Sequence, residues 1–201
     1  MIGWAFLLAL AAGEGRPLFY WGARAAVISV PESAAPRGDS ARVVEVHAAR
    51  DARGPILRLT FDRPVREALR LPDGTPVSGR LRAVLYADLD GKRETGWQAG
   101  PTDLRRGAEW RLEVAALALG ADPDEKLEAQ ALVTVSLAGL SSDGRRRTLW
   151  QADQASAPEQ VSVVGEWLEL RLTEAAGTPS AGARLVLALD DLTLDGRWPA
   201  P

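Results

Sequence analysis

The stretch Arg80–Val114, RLRAVLYADLDGKRETGWQAGPTDLRRGAEWRLEV, decides the fold class of this 201-residue chain. Apolar and polar side chains alternate near both of its ends, up to Asp88 and again from Ala108 onward. Successive side chains of a β-strand point to opposite faces, so this alternation indicates strands with one buried and one wet face. An Asp-Gly pair and further glycines lie between them, and both residue types favour turns. The stretch therefore predicts two strands joined by a turn and a loop.

The same alternation recurs on both sides of this stretch, and turns rich in Gly, Pro and Asp separate the segments. The further segments are 42–48, 57–61, 131–137, 146–152, 161–164, 168–172 and 185–189. Eight or nine short strands with such punctuation predict an all-β fold, an antiparallel β-sandwich of the jelly-roll kind. One short helix is predicted at Asp122–Leu127, where acidic residues and a proline suit a first helical turn.

The composition excludes several classes of function. A chain of 201 residues fits one sandwich domain. It contains no cysteine, which excludes a disulfide framework, thiolate-ligated zinc and a thiol nucleophile. The formal net charge of −3 argues against a general nucleic-acid binder, because such proteins carry a basic excess. We therefore expect no nucleic-acid partner.

The first thirteen residues, MIGWAFLLALAAG, form an apolar run that ends in small residues. A secretory signal peptide has an apolar core of about 7–15 residues followed by a small-residue cleavage site. Both are present, although a basic beginning is not, and an N-terminal strand or buried arm is the alternative interpretation. A membrane-spanning helix needs about 20 apolar residues, so the run predicts no transmembrane span.

These features divide the chain into three parts. Residues 1–13 form the signal-like segment, residues 14–40 an N-terminal strand and linker, and residues 41–201 the β-sandwich domain. A signal-like beginning predicts a secreted, periplasmic or cell-surface protein.

Carboxylates surround the turn in the deciding stretch and form a candidate metal site. Asp88 and Asp90 are alternate residues at the end of a strand, and Glu109, at the start of the next strand, and Asp103 could complete a ligand shell if the loop folds back. Carboxylates arranged in this way can converge on Ca²⁺, which takes six to eight oxygen ligands. Lys92 and Arg93 follow directly, and an Asp-Gly pair is also an ordinary hairpin turn. The pattern leaves both interpretations open, a calcium site and a plain turn.

Tryptophan is abundant, with seven in the chain. Trp110 shares its strand face with apolar residues, which predicts a core position. Trp167 alternates with the apolar face of its strand, Trp97 lies in a loop, and the face of Trp150 is ambiguous. Exposed indole rings can stack on sugar rings, so Trp97, Trp167 and Trp150 are candidate ligand-binding residues. The alternative is that they cover sheet edges.

No catalytic group is predicted. His47 is the single histidine, and no Gly-x-Ser-x-Gly motif is present to mark a serine nucleophile. A hydrolytic pair of carboxylates need not be close in sequence, and no feature of the sequence favours one. We therefore expect a protein that is not an enzyme.

The segments YADLD at Tyr86–Asp90, TGW at Thr95–Trp97 and GAEWRLEV at Gly107–Val114 resemble a family pattern. The pattern, a D-x-D turn, a T-G loop and a G-[AV]-[DE]-[YW] strand, belongs to the carbohydrate-binding module family 9-like and DOMON-like group of secreted β-sandwiches. The resemblance implies a jelly-roll-like domain outside the cytoplasm that binds sugars, with calcium at the D-x-D turn and, in some DOMON members, haem. Axial haem ligands are usually Met and His, and only Met1 and His47 are present, so haem is not expected.

Two functions follow as expectations. The first is a non-catalytic extracytoplasmic binding module for carbohydrate, with a polysaccharide as its partner. The alternative is a structural or protein-interaction domain of the bacterial cell envelope, with an envelope protein as its partner and no small-molecule ligand. Exposed aromatic residues gathered on one face would favour the first, and a broad apolar patch or open sheet edge the second.

Overall fold

The computed structural model describes residues 15–31, 39–120, 130–173, 177, 179–190 and 192–199. The signal-like segment 1–13, most of the predicted linker (residues 32–38) and the predicted helix at 122–127 lie outside these residues. Within the described ranges, no helix has the length and apolar character needed to cross a membrane.

The described residues form strands and one short helix. The strands are β1 Ile28–Ser29, β2 Val43–Asp51, β3 Gly54–Phe61, β4 Arg82–Asp88, β5 Trp110–Leu119, β6 Gln130–Leu140, β7 Arg146–Asp153, β8 Val161–Val164, β9 Trp167–Arg171, β10 Arg184–Ala188 and β11 Thr193–Arg197. The helix α1 is a single turn at Val65–Ala68 between β3 and β4.

The strands form two antiparallel sheets. One has five strands in the order β1-β2-β3-β9-β8, and the other has six in the order β11-β10-β4-β5-β6-β7. Every pairing between neighbouring strands of these two sheets, as far as the structure describes them, is antiparallel. The prediction of an all-β, sandwich-like fold is confirmed.

The two sheets bury their apolar faces against each other. Leu57 and Leu59 of β3 lie in the same core cluster as Leu85 of β4 and Leu112 of β5. Burying a leucine side chain contributes about 1.5–3 kcal/mol, so alternate positions of each strand hold the sheets together. Trp110 is 1% exposed and belongs to this cluster, which confirms its predicted core position.

The first long strand departs from simple alternation. The sequence pattern places Val44, Val46 and Ala48 on one face, and Val46 and Ala48 are indeed buried. Val43 is buried instead of Val44, because a β-bulge shifts the register of β2 against β3 between Val43 and Glu45. A bulge inserts one extra residue into a strand and so exchanges the faces of the residues on one side of it.

Residues 15–21, which we call the N-terminal arm, cross the outer face of the five-stranded sheet. The backbone N–H of Gly15 donates to the carbonyl of Val163 at 2.8 Å, and the Ser162 hydroxyl donates to the carbonyl of Arg16 at 2.7 Å. A Cβ atom at Gly15 would lie 2.3 Å from Ser162 Oγ, so only glycine allows this approach. Arg171 also donates to the carbonyl of Leu18 at 2.9 Å.

Candidate functional site

The candidate metal site lies where β4 ends and β5 begins. These two strands are antiparallel neighbours in which Ala87 is paired with Trp110, so the connecting loop must return to the point where it left β4. The backbone N–H of Glu109 donates to the carbonyl of Ala87 at 2.8 Å, which places Glu109 beside Asp88. Strand pairing therefore brings together residues that are about twenty positions apart in the chain.

Three of the four carboxylates suggested by the sequence form one group, whereas Asp103 does not belong to it and pairs with Arg105 instead. Asp88, Asp90 and Glu109 each offer a carboxylate oxygen, and these oxygens lie within 4.8 Å of one another. Two oxygens that both lie about 2.4 Å from one Ca²⁺ ion are at most about 4.8 Å apart. The spacing therefore fits a shared ion as it stands. A donor set made only of oxygens suits a hard cation such as Ca²⁺.

Thr95 completes an oxygen-rich cluster. Its hydroxyl oxygen lies 3.0 Å from Asp90 Oδ1, 2.9 Å from Glu109 Oε1 and 2.8 Å from the carbonyl oxygen of Lys92. A hydroxyl has one proton to donate, so it cannot serve three acceptors at once. The contacts that share no proton bring oxygen atoms close together, and a nearby cation would offset the repulsion between them.

Backbone donors fix the orientation of two of the carboxylates. The N–H of Leu89 donates to Glu109 Oε2 at 2.6 Å, and the N–H of Lys92 donates to Asp90 Oδ1 at 2.8 Å. The second of these is the local bond of an ordinary aspartate turn. Both carboxylates are thus held in position by the loop itself.

Asp88 is the buried member of the group, with 3% of its surface exposed. Its Oδ2 accepts a hydrogen bond of 3.1 Å from Nη2 of Arg184. Its Oδ1 is buried and accepts no well-aligned hydrogen bond from the described residues, although the backbone N–H groups of Gly91 and Lys92 lie close to this carboxylate. A buried polar atom without a partner costs about 1–3 kcal/mol, and a bound cation would remove that cost.

Burial raises the pKa values of two of the carboxylates, Asp88 and Glu109, and neighbouring negative charges add to the rise. Burial raises the pKa of Asp88 above its usual value, Arg184 and the backbone N–H groups of Gly91 and Lys92 oppose this, and the nearby charge of Asp90 adds to the rise. Burial likewise raises the pKa of Glu109, against hydrogen bonds from Leu89 and Thr95, and the charges of Asp90 and Asp88 raise it further. Neighbouring like charges disfavour ionisation, whereas a cation among them favours it.

Trp97 lies in the same loop, two residues after Thr95. Its half-buried ring stacks on the ring of Tyr86, with centroids 5.9 Å apart and planes inclined by 29°. The guanidinium of Arg105 lies 5.1 Å from the centre of the Trp97 ring, and three hydrogen bonds to Asp103 hold that guanidinium in place. The cluster belongs to the outer face of the six-stranded sheet, because Tyr86 alternates with the core residue Leu85.

Trp167 lies on the other sheet. It is the first residue of β9, and the guanidinium of Arg58 lies 4.2 Å from the centre of its ring. The same guanidinium lies 4.9 Å from the ring of Trp21 in the N-terminal arm. Arg58 and the arm therefore occupy the outer face of the five-stranded sheet next to Trp167.

Trp150 is directed toward the interior. It is paired with the core residue Leu137 across β6 and β7, and its ring packs against the core cluster. Its Nε1–H donates to Oε1 of Gln160 at 3.0 Å. The structure thus places the three candidate tryptophans in three different regions. Trp97 is the one that lies in the loop between β4 and β5, together with Asp90 and Thr95.

Sequence reasoning missed two residues of this site. Thr95 was part of the family pattern but was not assigned a role, although its position five residues after Asp90 in a glycine-containing loop allows a contact. Arg184 comes from β10, which is far along the chain, and its place beside Asp88 follows from the pairing of β10 with β4. Local spacing carries no signal for such a partner.

Comparisons with protein-family models, with curated proteins and with solved structures find no match to this chain.

Proposed function

We propose that this domain is a non-catalytic binding module in which Asp88, Asp90 and Glu109 bind Ca²⁺. The observation that carries the proposal is the grouping of the three carboxylates, in which Asp88 is buried and its Oδ1 accepts no well-aligned hydrogen bond from the described residues. Carboxylate oxygens are the ligands that a hard cation prefers. Without a cation, the protein bears the free-energy cost of a buried oxygen that lacks a hydrogen bond.

The cation would act on the loop that carries Trp97. Thr95 contacts two of the three carboxylate residues, and the N–H of Trp97 donates to the carbonyl of Ala108, the residue before Glu109, at 2.8 Å. An ion that holds the carboxylates therefore also holds the two segments that position Trp97, one at Thr95 and the other at Ala108. The role of Ca²⁺ in this proposal is to order the loop, and the ion carries out no chemistry.

The ligand we propose is a carbohydrate that contacts Trp97. Tyr86 and Arg105 fix the half-buried Trp97 ring in place, and the part of a rigid ring that stays open can contact a sugar ring at low entropic cost. Trp167 and Trp150 remain predicted ligand residues, but they lie in other regions than the carboxylates: Arg58 lies over the first, and the second packs against the core.

The proposed location is outside the cytoplasm. Calcium sites of extracellular modules bind with dissociation constants of about 10⁻⁴–10⁻³ M, which suits the millimolar calcium of such surroundings. The signal-like sequence at 1–13 is in keeping with this location.

Thermal unfolding with and without Ca²⁺ tests the metal part of the proposal. Calcium at a hundredfold excess over its dissociation constant should raise the unfolding temperature of the full chain by about 5–10 °C. Asp90→Asn should abolish this rise. The matched control is Asp143→Asn, because Asp143 also precedes a glycine and accepts the backbone N–H two residues ahead, that of Arg145, at 3.2 Å. Equal calcium responses in both variants, or none in the wild type, would refute the site.

Tryptophan fluorescence tests the carbohydrate part. The full chain is titrated with a panel of neutral and acidic polysaccharides, with Ca²⁺ and with a chelator. We expect a saturable change with at least one polysaccharide, weakened by the chelator and lost in Trp97→Ala. Tyr20→Ala removes an aromatic residue that is 89% exposed in the N-terminal arm, and should leave binding unchanged. A flat response across the panel would remove carbohydrate from the proposal and leave the metal site standing.

A further inference from the structure

Arg184 is a charged residue in a buried position beside the proposed calcium site. It is the first residue of β10 and is paired directly with Asp88, the last residue of β4. Arginine and aspartate are both 3% exposed. Residues directly opposite in neighbouring strands point to the same face of the sheet, so the two side chains meet without any distortion of the backbone.

The guanidinium has two identified acceptors. Its Nη2 donates to Asp88 Oδ2 at 3.1 Å and also to the carbonyl oxygen of Arg106. The backbone of Gly107 closes the space around the same carboxylate oxygen, since a Cβ there would lie 3.2 Å from Asp88 Oδ2. Oδ2 is therefore enclosed by protein, and Oδ1 is the oxygen of Asp88 left for a cation.

The charges in this group have a definite balance. Asp88, Asp90 and Glu109 supply three negative charges when ionised, and Arg184 supplies one positive charge in contact with them. Two negative charges remain, which a divalent ion neutralises. Arg93, Arg197 and Asp195 act on Arg184 through space. These three residues are unchanged in the Arg184 variants, so their own effect on a bound ion is the same in the wild type and in the variants.

We propose that Arg184 sets the charge selectivity of this site, by serving as an internal counter-ion that matches the carboxylates to a divalent cation. The inference rests on the proposed function, since it concerns the same Asp88–Asp90–Glu109 site. Coulomb attraction grows with the charge of the ion, so an added negative charge favours a trivalent ion more than a divalent one. Removing the positive charge of Arg184 therefore shifts the preference of the site toward trivalent ions.

The test compares Ca²⁺ with Tb³⁺ on the full chain. Tb³⁺ luminescence sensitised by the aromatic residues gives the dissociation constant for Tb³⁺, and displacement by Ca²⁺ gives that for calcium. Arg184→Met keeps an unbranched side chain about as long as the aliphatic part of arginine and removes its charge, whereas Arg184→Lys keeps the charge. We expect the ratio of the Ca²⁺ to the Tb³⁺ dissociation constant to rise on the order of tenfold in Arg184→Met. In Arg184→Lys it should stay within about twofold of the wild type.

A structural role alone would not change this ratio, because a loosened site loses affinity for both ions together. If Arg184→Met does not fold, Arg184→Gln replaces it, since the amide can still donate to the carbonyl of Arg106. An unchanged ratio in a folded, uncharged variant would overturn the inference while leaving the calcium site in place. An equal rise in the lysine variant would also overturn it. A wild-type chain that binds neither ion would refute the proposed function and the inference together.

Discussion

The indole Nε1–H of Trp21 donates a hydrogen bond of 2.9 Å to Oε1 of Glu169, a residue 148 positions further along the chain. Glu169 has no exposed surface, and it also accepts two hydrogen bonds from Arg58, at 3.0 and 2.7 Å, and one from the N–H of Leu18 at 2.5 Å. The N-terminal arm is thus part of the folded domain. It covers part of the outer face of the five-stranded sheet, so we expect the ligand to bind on the six-stranded sheet.

Replacing Glu169 with glutamine should be strongly destabilising. Glu169→Gln keeps the shape of the side chain but removes the charge that balances Arg58, and breaking a buried ion pair from one side costs about 3–5 kcal/mol. Arg58 is 13% exposed at its side chain, so we expect the lower end of this range. Urea denaturation measures the change.

The matched control for this change is Glu113→Gln. Glu113 also pairs with arginines, and one of them, Arg111, is as buried as Arg58. Its own side chain is 29% exposed, however, whereas Glu169 is fully buried, so its replacement should cost less than that of Glu169. Similar costs for the two variants would contradict the anchoring role of Glu169.

Replacing Trp110 distinguishes its ring from its N–H group. The ring is buried in the core, but Nε1 has no hydrogen-bond partner among the described residues. Trp110→Ala should cost about 3–5 kcal/mol because it leaves a cavity. Trp110→Phe removes the unpaired donor and keeps most of the ring, so it should cost less than about 2 kcal/mol. Equal losses of stability in urea denaturation would show that the indole N–H matters more than the structure indicates.

The Asp103–Arg105 pair should give a small dependence of stability on pH. Hydrogen bonds from Arg105 hold the pKa of Asp103 below its usual value near 3.8, partly offset by burial. A lowered pKa in the folded state means that the contribution is complete above the unfolded value and is lost as the pH falls through the folded value. Asp103→Asn should therefore reduce the free energy of unfolding at pH 7. The pair is partly exposed to solvent, so we expect a loss of only about 0.5–1 kcal/mol.

The same variant should differ little from the wild type at a pH below the folded pKa of Asp103. Urea denaturation at both pH values measures the difference. A difference that is as large in acid as at neutral pH would show that the stabilisation does not come from the ionised carboxylate.

The fold class and the carboxylate group could be predicted from the sequence because both depend on short-range patterns. Alternation along each strand marks its buried face, as for Leu57 and Leu59. Asp88 is the last residue of β4, Asp90 lies in the turn after it, and Glu109 directly precedes β5. Because β4 and β5 are neighbours in the chain as well as in the sheet, their pairing brings the carboxylates together.

Contacts between distant parts of the chain could not be predicted in this way. Arg184 reaches Asp88 across 96 residues through the pairing of β10 with β4, and no local spacing specifies that pairing. Trp167 was correctly placed on the polar face of its strand, opposite the buried Leu168. The sequence pattern of that face is the same whether water or the N-terminal arm covers it. The sequence therefore did not predict that Arg58 lies over the rings of both Trp167 and Trp21.

The most direct test of the central claim is a calorimetric titration of the full chain with Ca²⁺. We expect saturable binding of one ion per chain, lost in Glu109→Gln and retained in Glu113→Gln, since Glu113 lies four residues further along, in β5, and pairs with arginines instead. No saturable heat at millimolar calcium, or the same binding curve in both variants, would contradict a calcium site at Asp88, Asp90 and Glu109.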